Sequence, residues 1–346
     1  MVAMHELFTL PKAELHLHIE GTLEPELVFA LARRNKLNVP FPDVESLREA
    51  YRFDDLVSFL TLYYSCMDVL RTEEDFADLV TAYADRAAAQ GVRHVEMFFD
   101  PQAHTSRGIP LDVVMAGLTT GVERAQAAHG MSTGLIACFL RDRPVVEAHE
   151  TLEGLAPYAD TLLGVGLDSA EVGYPPSLFT DVFRDARDLG LRVVAHAGEE
   201  GPPSYVWEAL DVLGVERVDH GVRVLEDDAL VRRMALDRMP LTVCPLSNVR
   251  LRVVPDVASH SLPALLSAGL VATVNSDDPA YFGGYVGDNF VALARDLGID
   301  RDGSALLARN SFLASFLEED RRKELLIEVD QWESDVRTVT PADGRA

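Results

Sequence analysis

The sequence predicts an α/β protein of the (β/α)8 TIM-barrel class, and three observations lead there. Runs of strand-forming residues alternate with runs of helical periodicity along the chain, and eight such strands can be counted. Several of them end in a histidine or an aspartate, and barrels of this class carry their chemistry at the carboxyl ends of the strands. The length, 346 residues, is ordinary for such a barrel with insertions and long for one open sheet. A doubly wound sheet is the alternative that the same alternation allows.

The first strand runs through Glu14-Leu15-His16-Leu17-His18-Ile19-Glu20-Gly21. Side chains alternate faces along a strand, so His16 and His18 point into one small volume. Such a pair either begins a metal site or decorates an alternating strand, and the rest of the chain has to decide. Residues 25–37 read as an amphipathic helix with Pro25 at its start. A helical insertion over about 41–90 follows, periodic over 44–51, 54–70 and 73–90, with Gly91 as a stop. Its Phe53, Phe59, Leu60 and Tyr63 are expected to cap a pocket with apolar surface.

The second strand, 92–99, runs into Asp100-Pro101. Helices at 111–129, 145–156, 179–189, 205–213, 229–234 and 262–268 then alternate with strands at 132–140, 162–167, 192–195, 217–220, 241–244 and 271–275. The fourth strand leads to Asp168, the fifth to His196, the sixth to His220 and the eighth to Ser276-Asp277-Asp278. Helices over about 303–337 close the chain (305–316 and 321–332 are the periodic parts), with a polar tail from Thr338. No repeat, linker or composition break divides it, so it reads as a single domain over 1–346.

The charge balance narrows the partners. Fifty-six acidic against 31 basic residues give a net charge of -25, which repels a phosphate backbone or an anionic membrane. A small uncharged substrate fits better. The first residues lack the basic and apolar regions of a secretory signal, and no apolar run approaches the roughly 20 residues of a membrane span. Three scattered cysteines without a Cys-x-x-Cys fit a reduced, cytoplasmic protein. Monomer and homo-oligomer both stay open.

Of the ten histidines, four fall at predicted strand ends: His16, His18, His196 and His220. The other six (His5, His94, His104, His129, His149 and His260) fall in helices, loops or mid-strand and read as structural or exposed. Three imidazoles and one carboxylate, from His16, His18, His196 and Asp277, suit zinc, which takes nitrogen and oxygen ligands at about 2.0–2.2 Å. Zinc lowers the pKa of a bound water from near 16 to around 7. His220 and Asp278 are candidates to orient or deprotonate that water. Glu199, in His-Ala-Gly-Glu-Glu-Gly, is the candidate to move a proton on the substrate; Glu200 competes, and residue chemistry does not choose between them. The only lysines are Lys12, Lys36 and Lys323, none at the end of the fourth strand, so a carbamylated-lysine bridge between two metals is ruled out and one zinc per subunit is expected. Cys244 reads as a small apolar residue.

Together, His16-Leu17-His18-Ile19-Glu20-Gly21, His196-Ala197-Gly198-Glu199, Asp219-His220-Gly221 and Ser276-Asp277-Asp278-Pro279 resemble the adenosine/adenine deaminase family of zinc amidohydrolases. The resemblance runs in register from about Leu10 to Phe316. It implies zinc on His16, His18, His196 and Asp277, Glu199 rather than Glu200 as proton donor, His220 assisting the water, and Asp278 on the purine. Phe98-Phe99-Asp100-Pro101-Gln102, the stretch from Gly166 to Pro176, Cys244-Pro245-Leu246-Ser247-Asn248-Val249 and the stretch from Asp277 to Tyr285 are similar to the branch that acts on the free base. That implies hydrolytic deamination of adenine to hypoxanthine and ammonia, in purine salvage. Action on adenosine or an N6-substituted adenine through the same site is the alternative. Glu20, Asp168, Ser169 and Glu171 join Asp278 as substrate-binding residues on this resemblance. The nucleoside branch typically has aspartate matching Glu20 and glycine matching Glu171. Glu20 could fill the space of a ribose and Glu171 could accept the hydrogen on nitrogen 9, or both could brace neighbouring loops.

Overall fold

Eight parallel strands stand at the centre of the molecule: β1 (Lys12–His18), β2 (Val92–Phe99), β3 (Ser132–Leu140), β4 (Gly164–Asp168), β5 (Arg192–Ala197), β6 (Arg217–His220), β7 (Pro240–Val243) and β8 (Val271–Val274). They pair in sequence order, each with the next, and helices return the chain between them. This is the barrel that the alternation predicts. The fold is taken from a computed structural model, which describes residues 2–51, 53 and 56–335. The tail from Thr338 and the first two residues of the expected helix 54–70 lie outside them.

Parallel strands leave slanted N–H and C=O groups that need partners all round the ring. At the seam, Asp277 supplies them: its N–H donates to the His16 carbonyl at 3.1 Å, and its carbonyl accepts from the His18 N–H at 3.0 Å. Lower down, the Leu15 N–H donates to the side-chain oxygen of Asn275 at 2.8 Å. The helix Arg301–Ala314 covers this gap, with the Ala13 N–H donating to the Ser311 hydroxyl at 2.9 Å. The barrel is thus nearly closed.

Three strands are followed by short helices that begin with proline: Pro101–Thr105 after β2, Pro245–Arg250 after β7 and Pro279–Phe282 after β8. They are too short to show an apolar period in the sequence. Proline is tolerated in a first helical turn and disfavours helical backbone at the residue before it. Asp100, Cys244 and Asp278 accordingly share one conformation, with φ of -107°, -122° and -114°. None spends its side chain on capping the helix. All three side chains are left for the barrel mouth. A further helix, Val286–Asp296, was also missed; Val286, Phe290 and Leu293 bury its inner face, but Gly283, Gly284 and Gly287 make its start read as loop.

The insertion forms the helices Val44–Ala50, Leu56–Met67 and Glu73–Ala89. The last lies so close to the helix Leu111–His129 that a Cβ on Gly121 would stand 2.5 Å from the Val80 Cβ. In the barrel interior below the mouth, Arg217 donates to Glu96 at 2.6 Å, and the His94 ring stands 3.0 Å from the other carboxylate oxygen. Burial opposes the charge on Glu96, but the Arg217 guanidinium and His94 hold its carboxyl down to about 2. His94 is therefore structural.

Candidate metal centre and active site

His16 and His18 do share one face of β1 and meet side chains from β5, β6 and β8 at the mouth. The Nε2 atoms of His18 and His196 are 3.2 Å apart. Asp277 Oδ1 is 3.3 Å from His16 Nε2 and 3.6 Å from His18 Nε2. One donor atom from each of His16, His18 and His196 lies within 4.8 Å of the others, and the same holds for His16, His220, Cys244 and Asp277. Two facing imidazole nitrogens at such a distance cannot both carry hydrogens, so at least one of them presents a lone pair.

The tautomer of His16 follows from its surroundings. The Thr242 hydroxyl donates to Asp219 Oδ1 at 2.8 Å, which leaves its oxygen to accept from His16 Nδ1 at 2.9 Å. The hydrogen of His16 is then on Nδ1, and its Nε2 is bare, buried and without a partner. His18 is steadied by Asp168, whose Oδ2 is 3.5 Å from His18 Nδ1. Burial, aided by neighbouring imidazoles, lowers His18 to about 4, His220 to about 3 and His196 well below its ordinary value. Neutral imidazoles are the form that binds a metal. Burial works against the charge on Asp277, but His16, His220 and His18 hold its carboxyl well below the usual range. Imidazole nitrogens of His16, His18 and His196 with the Asp277 carboxylate are a donor set that fits zinc. Burial, Asp277 and Glu199 push the Cys244 thiol up, so it stays protonated and ligates poorly.

Backbone strain marks the same rim. Ser169, His220 and Asp277 have φ of 72°, 61° and 66°, in the left-handed region that costs a side-chain-bearing residue about 1–2 kcal/mol. His220 Nε2 is thereby brought 3.5 Å from Glu199 Oε2 and 3.8 Å from Asp277 Oδ2. Burial raises Glu199 well above the ordinary carboxylate range, with Asp277, Glu171 and Glu200 adding to it, which favours its protonated form. Glu200 lines the same cavity but is half-buried and has no such contact with His220. Asp278 is pushed up by burial and by Asp277, and its Oδ1 has no partner. Gly21 makes room for it: a Cβ there would lie 2.0 Å from that oxygen.

The carboxylate of Glu171 accepts four backbone N–H groups, from Gly198 at 2.6 Å, Glu199 at 3.1 Å, Glu200 at 2.9 Å and Gly201 at 2.8 Å. Of the two roles open to Glu171, these bonds are the bracing one, and they fix the loop that carries Glu199. Glu20 accepts from the Asp100 N–H at 3.1 Å and lies 2.7 Å from His104 Nε2. Arg107 donates to His104 Nδ1 at 2.7 Å, so the ring hydrogen is on Nε2 and points at Glu20. Glu20 is one layer out from the cavity, among braces. His104, read as structural or exposed, is fully buried.

The cavity itself holds about 60 Å³. His18, His196, His220, Asp277, Asp278 and Glu199 line one part, and Asp100, Asp168, Ser169 and Leu140 another. Phe59, Leu60 and Tyr63, expected from the sequence to cap it, do so together with Tyr64 and Phe282, while Phe53 packs on Phe59 behind them. Asp100, Asp219 and Thr242 were not singled out from the sequence. The available signal was Asp100-Pro101, which repeats the strand-end pattern of Asp278-Pro279.

The chain matches the family model for adenosine deaminase over residues 11–332. It is 62% identical to an adenine deaminase of Streptomyces coelicolor, covering 94% of this chain and 96% of that protein. The crystal structure of an adenine deaminase from Arthrobacter aurescens is similar with a TM-score of 0.92 and 55% identity, covering 93% of this chain and 99% of that one. An amidohydrolase from Burkholderia ambifaria, solved with bound zinc, is similar with a TM-score of 0.88 and 28% identity, covering 97% and 96%.

Proposed function

We propose that this chain, which belongs to the adenosine deaminase family, hydrolyses adenine to hypoxanthine and ammonia with one zinc ion held by His16, His18, His196 and Asp277. The observation that carries the reading is the buried Nε2 of His16 beside Asp277 and the imidazoles of His18 and His196, with Glu199 lining the same cavity. Bound there, zinc supplies Lewis acidity and makes a water nucleophilic near neutral pH.

This chain's own residues do the proton work. Glu199, whose protonated form is favoured by burial and by neighbouring carboxylates, donates to ring nitrogen 1, which leaves carbon 6 electrophilic. His220 and Asp278 orient the water that adds to carbon 6 and relay one of its protons to the amine. Asp278 also faces the purine. The amine gains one of the water's protons and leaves as ammonia, and the other returns to Glu199 as the carbonyl at carbon 6 forms. Phe59, Leu60, Tyr63 and Phe282 hold bulk water away, which strengthens each of these polar contacts.

Adenine rather than adenosine is supported by the adenine deaminases to which the chain is similar. Asp168 and Ser169 line that space with Asp278. The setting we infer is purine salvage in the cytoplasm, in keeping with three free, buried cysteines. Glu199→Gln tests the mechanism: it is expected to retain zinc while losing at least about a thousandfold in turnover, as removal of an essential proton donor does. A near-normal rate would contradict the role. His196→Ala is expected to lose zinc on metal analysis.

A further inference from the structure

The arc from β2 to β4 gives no carboxylate to the set proposed to hold zinc, yet it presents two carboxyl groups to the cavity, Asp100 after β2 and Asp168 at the end of β4. Each residue is only 2% exposed. One donor atom from each, with one from His18, lies within 4.8 Å of the others. Their backbones are pinned: the Asp100 N–H donates to Glu20 at 3.1 Å, and the Asp168 carbonyl accepts from the Arg141 N–H at 3.1 Å. Asp168 Oδ2 is turned to His18, but Asp168 Oδ1 and Asp100 Oδ1 have no hydrogen-bond partner. No lysine or arginine lines the cavity to serve them among the described residues. Buried acceptors without a donor need an explanation, and a ligand that brings the donor is one.

An unsubstituted aminopurine carries two kinds of N–H, the exocyclic amine at carbon 6 and one hydrogen on the five-membered ring, on different sides of the base. With the amine toward Glu199 and His220, the ring N–H falls to the other side of the cavity. Resting on the deaminase reading, we propose that Asp100, held beside Asp168, accepts the five-membered-ring N–H of the free base and so selects base over nucleoside. A glycosidic bond replaces that hydrogen by carbon and leaves the acceptor buried and unpaired, which is how polar sites discriminate strongly. Glu171 is occupied by its four backbone N–H groups. Asp100 makes no capping bond to its own helix, and its carboxyl hydrogen-bonds that of Asp168, which leaves Oδ1 open.

Calorimetry of the full-length, zinc-loaded enzyme with hypoxanthine and 9-methylhypoxanthine reads this contact without turnover. The wild type is expected to bind hypoxanthine at least about 100-fold more tightly than the methylated base. Asp100→Ala is expected to weaken hypoxanthine by roughly 10- to 100-fold and 9-methylhypoxanthine by less than about threefold, so that the preference collapses. Asp100→Asn preserves the volume and carries the comparison if the alanine variant does not fold. Equal weakening of the two ligands, or an unchanged preference, overturns the proposal. Loss of a metal ion from the variant also overturns it, by assigning His18, Asp100 and Asp168 to a second cation. The affinity ratio is read whether or not the wild type releases ammonia from adenine, so failure of the deaminase reading would be separately visible.

Discussion

The hydroxyl of Thr242 stands between Asp219 and His16, donating to the carboxylate at 2.8 Å and accepting from the imidazole at 2.9 Å. One hydroxyl thus decides which nitrogen of His16 is bare. Partners of this kind are worth about 10- to 100-fold in metal affinity. Thr242→Val, nearly equal in volume, is expected to lower zinc affinity by about that factor, measured by competition with a chelator. Unchanged affinity would show that β1 alone orients the ring.

Gly21 is the close-approach point for Asp278, since a Cβ would meet its Oδ1 at 2.0 Å. Gly21→Ala is expected to displace the Asp278 carboxylate and reduce kcat about 100-fold, because a misplacement of about 1 Å carries that cost. Zinc content should stay at the wild-type level, and metal analysis beside steady-state kinetics checks both halves.

Glu171 acts through the loop of residues 198–201. Glu171→Gln turns one acceptor into a donor facing backbone N–H groups, so bonds are lost and donors are left buried. A stability loss of about 1–3 kcal/mol is expected in urea unfolding, together with a lower kcat from a misplaced Glu199. If KM alone rose, Glu171 would be contacting substrate instead.

The Glu96–Arg217 pair gives a pH signature. Glu96 is buried, and its carboxyl is held at about 2, below its ordinary value of 4.5. A depressed folded-state pKa contributes stability above the unfolded value, and that contribution is lost as pH falls toward the folded one. The wild type is therefore expected to lose on the order of 3 kcal/mol between pH 5 and pH 2 through this group. Glu96→Gln should flatten that part of the stability curve, followed by denaturant midpoints at successive pH values.

Much of this was legible in the sequence. The change between a period of 2 and a period of 3.6 gives the barrel, and the polar residues that end its strands give His16, His18, His196, His220 and Asp277. What was not legible depends on contacts between distant segments. Glu171 acts on backbone N–H groups 27 to 30 residues away, which carry no side-chain signature. Thr242 matters only because β6, β7 and β1 bring Asp219, Thr242 and His16 together. His104 has no periodic cue at all; its meaning lies in Glu20, 84 residues earlier. The short helices after Asp100, Cys244 and Asp278 were hidden by their length, although each proline announces the turn.

Steady-state kinetics of ammonia release from adenine and adenosine, run side by side on the zinc-loaded enzyme, tests the central claim most directly. An acceptor for the ring N–H of the free base predicts a kcat/KM for adenine at least about a hundredfold above that for adenosine. A higher kcat/KM for adenosine would contradict it.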